Sequence, residues 1–362
     1  MRVTVLGAGA GGTAAVVELV QAGYEVALWN RSPATLEPLQ RAAGIEYEGV
    51  LGEGFVRPRL ITSDLAESLA GAEAAVCVLP TLLHGTLARA LAQAGIGKSI
   101  PVVLNPGHTG GALEFKTAFR QVRADCPPVA DFSTLTYVAR KYAPQRVTIT
   151  GHARQLRAAA LPGDQGALEI ACRLFPAAKP QRDVLAANLA NLNMVLHPPG
   201  AVLGAAWVEA KRGDFTFYVE GMTPGVTRVM KALDDERRAV AAAFGHTLPN
   251  LVEEMQLIGT VEAHVRDTQD FAVAISGGKA NSRIKAPDSL AHRYYREDFG
   301  HGLLPFIALA NIARVPVPVA QSLFSLGEKL IGTDFSKTGR TAEAMGIAGL
   351  DRDGLLEKVR AD

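Results

Sequence analysis

VTVLGAGAGGTAAVVELVQAGYEVALWNR, residues 3–31, is the stretch that decides the fold. Val3 to Leu6 is a short β-branched run of the kind that forms a parallel strand buried on both faces. Gly7, Gly9 and Gly12 follow with G-x-G-x-x-G spacing. Thr13 to Ala22 carries a helical pattern that stops at Gly23, and Glu25 to Trp29 reads as a second strand. In this strand–turn–helix–strand setting each glycine has a task. Gly7 permits the tight turn, Gly9 lets backbone approach a pyrophosphate, and Gly12 lets helix pack on strand, with the helix N-terminus facing the anion. The stretch predicts a dinucleotide site contacted by Gly7, Gly9, Ala10 and Gly12. The same run follows Met1-Arg2 and could be taken for a secretory leader, but four glycines in six positions and Glu18 within it argue against that.

The end of the second strand bears on which dinucleotide is held. A site for NAD usually places Asp or Glu there, on the ribose hydroxyls. Here the residues are Asn30, Arg31 and Ser32, with no carboxylate to repel a 2′-phosphate. Arg31 can pair with that phosphate and lie over the adenine, and Ser32 can donate its hydroxyl. Hydrogen bonds to charged groups contribute about 1.5–3 kcal/mol each, a roughly tenfold to hundredfold preference. The expectation is NADP preferred over NAD.

A chain of 362 residues has room for two domains with separate cores. Its formal net charge of +1 implies no general attraction to nucleic acid or membrane. Cys77, Cys126 and Cys172 are isolated, which argues against a zinc site or a disulfide framework and suits a reducing cytoplasm. There is no run of 18 apolar residues and no internal repeat.

Strands and helices alternate through the first half. Helices are expected at 35–43, 65–70, 86–94 and 112–122, and strands at 74–79, 101–104, 129–134 and 147–150. Residues 46–60 read as a small hairpin insertion. This is a doubly wound, mostly parallel α/β pattern of Rossmann type. Ligands in such sheets sit beyond the strand C-termini, which places Pro80, Thr81 and the loop from Asn105 to Gly111 near the reactive end of the cofactor. From residue 184 the strand runs disappear, and helical patterns follow, broken at Pro198-Pro199, Pro224-Gly225, Pro249, Pro287 and Pro316–Pro318. The domains are therefore read as 1–183, dinucleotide-binding, and 184–362, mainly helical and substrate-binding, with an active site expected in the cleft between them.

Chemistry-bearing residues cluster in two stretches of the second half. NLANLNMVLHPP, residues 188–199, puts His197 at the end of an apolar helical run with Asn193 one turn earlier on the same face. AHRYYREDFGHG, residues 291–302, holds Arg293 and Asp298. A carboxylate commonly fixes the tautomer of a catalytic histidine, and an arginine can clamp a substrate carboxylate at two points. Taken singly, His197 also reads as a helix cap, Asp298 as an N-cap and Arg293 as a surface charge. His108 lies in a loop after a cofactor-side strand. The Gly110 and Gly111 amides could bind an anion or simply open a helix. No histidine has metal-ligand spacing. KALDDERR, residues 231–238, reads as a solvated helix face.

The chain resembles the opine dehydrogenase family, octopine/nopaline type, over nearly its whole length. Five segments carry the likeness in order: GAGAGG at 7–12, NPGHTGGALEF at 105–115, NLNMVLHPPG at 191–200, HRYYREDFGHGL at 292–303 and GRTAEAMGIAGL at 339–350. The resemblance implies a Rossmann domain joined to an all-helical opine-binding domain. It also implies His197 as acid/base, Asp298 paired with it, and Arg293 on a substrate carboxylate. Family members reductively join an amino acid to a 2-oxo acid, giving secondary amines with two carboxylates. Asn193, His108, Gly110 and Gly111 complete the expected substrate set. The expected partners are these small molecules, with no nucleic acid or membrane, and the apolar helical domain makes a homodimer plausible. One rival reading is a hydroxyacid dehydrogenase of the ketopantoate reductase kind. Such enzymes commonly use a lysine, and none occurs in 188–200. The other rival is a non-catalytic NADP-binding sensor, against which Asn193, His197 and Asp298 speak together.

Overall fold

The computed structural model describes residues 1–279 and 281–360. The chain divides into two compact units: Met1–Gly107 with Gly111–Val184, and His108–Gly110 with Leu185–Arg360.

The first unit is built on twelve strands: β1 (Arg2–Leu6), β2 (Glu25–Trp29), β3 (Ile45–Gly49), β4 (Gly54–Val56), β5 (Leu60–Thr62), β6 (Ala74–Cys77), β7 (Val102–Leu104), β8 (Val129–Phe132), β9 (Tyr137–Ala143), β10 (Arg146–His152), β11 (Leu156–Ala160) and β12 (Ala178–Pro180). Eight form one sheet in the order β12-β11-β8-β7-β6-β1-β2-β5. Every pairing in it is parallel except β11 with β8. Val3, Val5 and Leu6 of β1 are buried, as a central strand with neighbours on both sides requires. The doubly wound fold expected from the sequence is present.

The insertion is more than a hairpin. β3 and β4 do pair antiparallel, but β3 also pairs in parallel with β10, giving a second sheet in the order β4-β3-β10-β9. The strand expected at 147–150 belongs to this second sheet. The helix Ala10–Gln21 packs on both sheets, which explains its continuous burial from Gly12 to Val17. Tyr137 Oη donates to Glu18 Oε2 at 2.5 Å, and His152 Nε2 lies 3.1 Å from Glu18 Oε1. Glu18, odd in an apolar helix by sequence, is thus the polar tie between the helix and the second sheet.

Among the described residues the second unit is helical apart from the single bridge between Thr216 and Lys285. Two sequence readings are corrected here. The helix Asn193–Leu203 runs straight through Pro198 and Pro199, so His197 is mid-helix and not a cap. The prolines remove two helix donors, and burial of every residue from Met194 to Ala201 compensates. The KALDDERR face is also not wholly solvated: Asp234 and Arg237 of the helix Pro224–Ala243 are fully buried and ion-paired at 2.7 Å. Lys231 and Asp235 do form the expected exposed i,i+4 pair.

Candidate active site

In the first unit the glycine loop has the shape its spacing predicts. Gly7 has a φ of 121°, and a Cβ there would lie 2.4 Å from the Val78 carbonyl oxygen. A Cβ on Gly12 would lie 1.8 Å from the Gly7 carbonyl oxygen, so helix and strand meet too closely for any side chain. Gly9, the N-cap of the helix, differs: a Cβ there would meet no protein atom within 4 Å. Its smallness serves no internal packing, which fits a backbone surface that a pyrophosphate approaches. At the end of β2, Asn30 Oδ1 accepts from the Ala8 amide at 3.2 Å and steadies the loop, while Arg31 and Ser32 are exposed. Pro80 is half-buried, and the fully buried Thr81 opens a short 3-10 turn behind β6.

Asn105 is fully buried, its Oδ1 accepts from the Thr136 amide at 3.1 Å, and its Nδ2 donates to Thr136 Oγ1 at 2.9 Å. Its side chain pins the segment before β9. The Gly110 amide, expected as an anion donor, donates to Asn188 Oδ1 at 2.9 Å. At the helix Gly111–Arg120 the Ala112 amide donates to Asp131 Oδ2 at 3.0 Å, so that N-terminus already faces a buried carboxylate.

In the second unit, residues a hundred positions apart converge on His197. Its Nδ1 lies 2.6 Å from Asp298 Oδ2, and both side chains are buried. Asp298 closes the helix Arg293–Asp298, immediately before the wider π-helical turn Phe299–Leu303. Gly302 in that turn lacks the Cβ that would sit 2.9 Å from Met194 Cβ, so the turn packs tightly on the His197 helix. Burial pushes the Asp298 carboxyl above its ordinary value, while the charge of and hydrogen bond from His197 pull it back. An ionised Asp298 accepts from Nδ1–H and leaves the lone pair of neutral His197 on Nε2.

That nitrogen lies 2.7 Å from Tyr218 Oη. Tyr294 stacks on the imidazole with ring centroids 3.7 Å apart, and Phe217 approaches its edge at 6.1 Å. Gly200, three residues after His197, makes room: its Cβ would lie 2.8 Å from Phe217 Cζ. Sequence reasoning missed Tyr218, since the segment 213–222 has no helical or strand period to say which way it faces. Tyr294 stood in a quoted motif without a role.

Arg293 is about half exposed and pairs with Glu297 at 2.8 Å, one turn on. His108 is buried with a φ of 55°, and its Nε2 lies 3.4 Å from Asn193 Nδ2. Burial lowers its pKa to about 3, against the pull of Glu297, so it is neutral at pH 7. His301 is also buried and lowered to about 3 by desolvation and then by Arg340. Arg340, fully buried, donates from Nη1 to the Thr109 carbonyl at 2.6 Å. Sequence pattern assigned neither residue. No group of three or more His, Cys, Asp or Glu among the described residues could hold a metal ion.

The helical unit thus holds a hydrogen-bonded His–Asp pair, and the first unit holds a glycine-rich turn between strand and helix. Residues 180–331 match the family model described as NAD/NADP octopine/nopaline dehydrogenase, alpha-helical domain. Residues 2–113 match the N-terminus of NAD-dependent glycerol-3-phosphate dehydrogenase. An opine dehydrogenase of Arthrobacter sp. (strain 1C) is 32% identical over 98% of both chains. The chain belongs to the opine dehydrogenase family. It is an NAD(P)-dependent oxidoreductase. An octopine dehydrogenase structure with NADH and L-arginine shares the fold with a TM-score of 0.78 at 20% identity, covering 100% of this chain and 99% of its own. A yersinopine dehydrogenase structure with NADP+ bound aligns with a TM-score of 0.76 at 16% identity over 98% and 96%.

Proposed function

We propose that this chain reductively condenses the amine of an amino acid with a 2-oxo acid, and runs the reverse oxidation of the resulting N-carboxyalkyl amino acid, with NADP(H) preferred over NAD(H). The observation that carries the reading is His197, held by Asp298 on one nitrogen and directed to a hydroxyl at 2.7 Å by the other. Condensation needs a proton delivered as water leaves the carbinolamine and a proton kept on the imine nitrogen. A neutral imidazole backed by a buried carboxylate can take and return that proton, work worth typically about 10²–10⁴ in rate. The nicotinamide, when bound, supplies or accepts the hydride.

The glycine loop and the N-terminus of the helix Ala10–Gln21 would hold the pyrophosphate. Arg31 and Ser32 would take the 2′-phosphate, a role supported by their exposure and by the absence of a carboxylate at the end of β2. Arg293 is half exposed yet oriented by the buried Glu297, which suits two-point contact with a substrate carboxylate. His108 and Asn193 would line the same site as neutral donors and acceptors.

The test is oxidation of NADPH with pyruvate, oxaloacetate or 2-oxoglutarate, each with and without a panel of amino acids. Turnover that requires both substrates is expected. Turnover with a keto acid alone would make the protein a hydroxyacid dehydrogenase and end the opine reading.

A further inference from the structure

We infer that the Tyr218 hydroxyl is the relay through which His197 exchanges its proton with substrate. The inference rests on the acid–base reading of His197 given above.

Both imidazole nitrogens are occupied: Nδ1 by Asp298 at 2.6 Å and Nε2 by Tyr218 Oη at 2.7 Å. The Tyr294 ring covers one face, and the His197 side chain is only 6% exposed. A proton entering or leaving Nε2 therefore meets the Tyr218 oxygen first. Displacing that oxygen is costly because its segment is anchored. The Phe217 amide donates to the Ile284 carbonyl at 3.0 Å, and the Ala286 amide donates to the Phe215 carbonyl at 2.8 Å. Phe217 itself is seated against Gly200 on the His197 helix.

The direction of the Tyr218 hydrogen bond follows the charge of His197. Neutral His197 carries its proton on Nδ1, so Tyr218 donates to Nε2. In the imidazolium, Nε2–H donates and Tyr218 accepts, which frees the phenolic proton for another acceptor. Tyr294 Oη, 3.4 Å from Tyr218 Oη, is within reach to help orient the freed hydroxyl.

In the condensation direction the step balances without a tyrosinate. The carbinolamine nitrogen lone pair forms the C=N bond as the C–O bond breaks. The Tyr218 proton goes to the departing oxygen, which leaves as water. The Nε2 proton passes to the Tyr218 oxygen, and His197 ends neutral. The reverse sequence serves hydration of the imine after oxidation. Because one proton arrives as the other departs, no tyrosinate has to form near neutral pH.

The experiment combines Tyr218→Phe, His197→Ala and a proton inventory in mixtures of H2O and D2O, read in single turnovers with both substrates and NADPH saturating. Tyr218→Phe keeps the ring and removes the hydroxyl. Its rate is expected to fall at least about 100-fold, with KM values and NADPH affinity changed less than threefold. The wild-type inventory is expected to be curved, as two protons in flight require. Tyr218→Phe activity within threefold of wild type, or a linear wild-type inventory, overturns the relay. The inventory needs no variant, so it decides even where Tyr218→Phe does not fold. Should His197→Ala retain activity, the acid–base reading itself falls, whereas loss in His197→Ala with full activity in Tyr218→Phe removes only the relay.

Discussion

Replacing Asp298 with Asn changes one oxygen for an NH2 and keeps the side chain's size at a buried position. The Asp298 side chain is 3% exposed and its Oδ2 lies 2.6 Å from His197 Nδ1. When His197 holds the extra proton, this carboxylate is its counter-charge. With charge centres about 4 Å apart and an effective dielectric near 20, the attraction is about 4 kcal/mol. Part of it is already expressed while His197 is neutral, through the hydrogen bond to a charged acceptor, worth about 1.5–3 kcal/mol. The share confined to the protonated state is then about 1–2.5 kcal/mol. At 1.36 kcal/mol per tenfold, kcat/KM should fall about 5–70-fold from this effect alone. The amide brings a second penalty. Should its NH2 turn toward Nδ1, His197 is held with its proton on Nε2, the wrong tautomer for a base. The assay is NADPH oxidation with both substrates across pH. The double variant His197→Ala/Asp298→Asn should be no worse than His197→Ala alone, because the carboxylate works only through the imidazole. An Asp298→Asn enzyme within twofold of wild type, or losses that multiply in the double variant, would refute the pairing.

Arg31→Asp should shift the ratio of NADPH to NADH efficiencies toward NADH by about tenfold to hundredfold, read from kcat/KM with each cofactor. An unchanged ratio would show that Arg31 does not meet the 2′-phosphate. Acidification should destabilise the fold through His108 and His301, whose pKa values are lowered to about 3 by burial while an unfolded histidine titrates near 6.5. Below about pH 6.5 the unfolded chain takes up protons that the native state refuses, so the stability present above that pH is lost as pH falls toward 3. The loss is about 1.4 kcal/mol per pH unit for each residue, or about 4 kcal/mol together at pH 5. Urea unfolding at pH 7 and pH 5 should show His301→Gln about 2 kcal/mol less acid-sensitive than wild type, and equal sensitivity would remove His301 from the account.

The first unit was legible because its rules are local. Gly7 and Gly12 declare themselves by spacing, and the structure shows why: each position where a Cβ would strike backbone is a fixed distance along one turn. The parallel run from β5 to β8 follows from apolar strands separated by helices. The second sheet was not legible, since β3 and β10 are a hundred residues apart and their pairing leaves only alternation too weak to match them. The pairing of His197 with Asp298 is present, but the place of His197 in its helix was misread, because proline statistics describe isolated helices. Here the burial of Met194 to Ala201 outweighs two missing hydrogen bonds. The protein partners of Asn105 and Gly110 were not legible for a related reason: the Asn105 side chain meets Thr136 and the Gly110 amide meets Asn188, partners that no local pattern identifies.

Two buried arginines explain how segments so far apart in sequence can hold the His197 site together. Arg237 pairs with Asp234 and donates to the Leu189 carbonyl at 3.0 Å and the Pro249 carbonyl at 2.8 Å, while Asp234 Oδ2 accepts from the Leu251 amide at 2.9 Å. It therefore fixes the chain four residues before the His197 helix begins. Arg340 donates to the Thr109 carbonyl, and its own amide donates to the Gly300 carbonyl at 2.8 Å. It links the His108 loop to the π-helical turn directly after Asp298. A buried charge with every partner in place is weak evidence for net stability, but removing one partner strands the rest, a loss of about 3–5 kcal/mol. The arrangement is thus better suited to position than to stability. It penalises any displacement of the His108 loop, the Asp298 turn or the lead-in to the His197 helix. A 2.6 Å contact between residues 101 positions apart needs that kind of constraint. On this account GRTAEAM at 339–345, a motif with no chemistry of its own, accompanies the segments that carry His108 and Asp298 because Arg340 holds them in register.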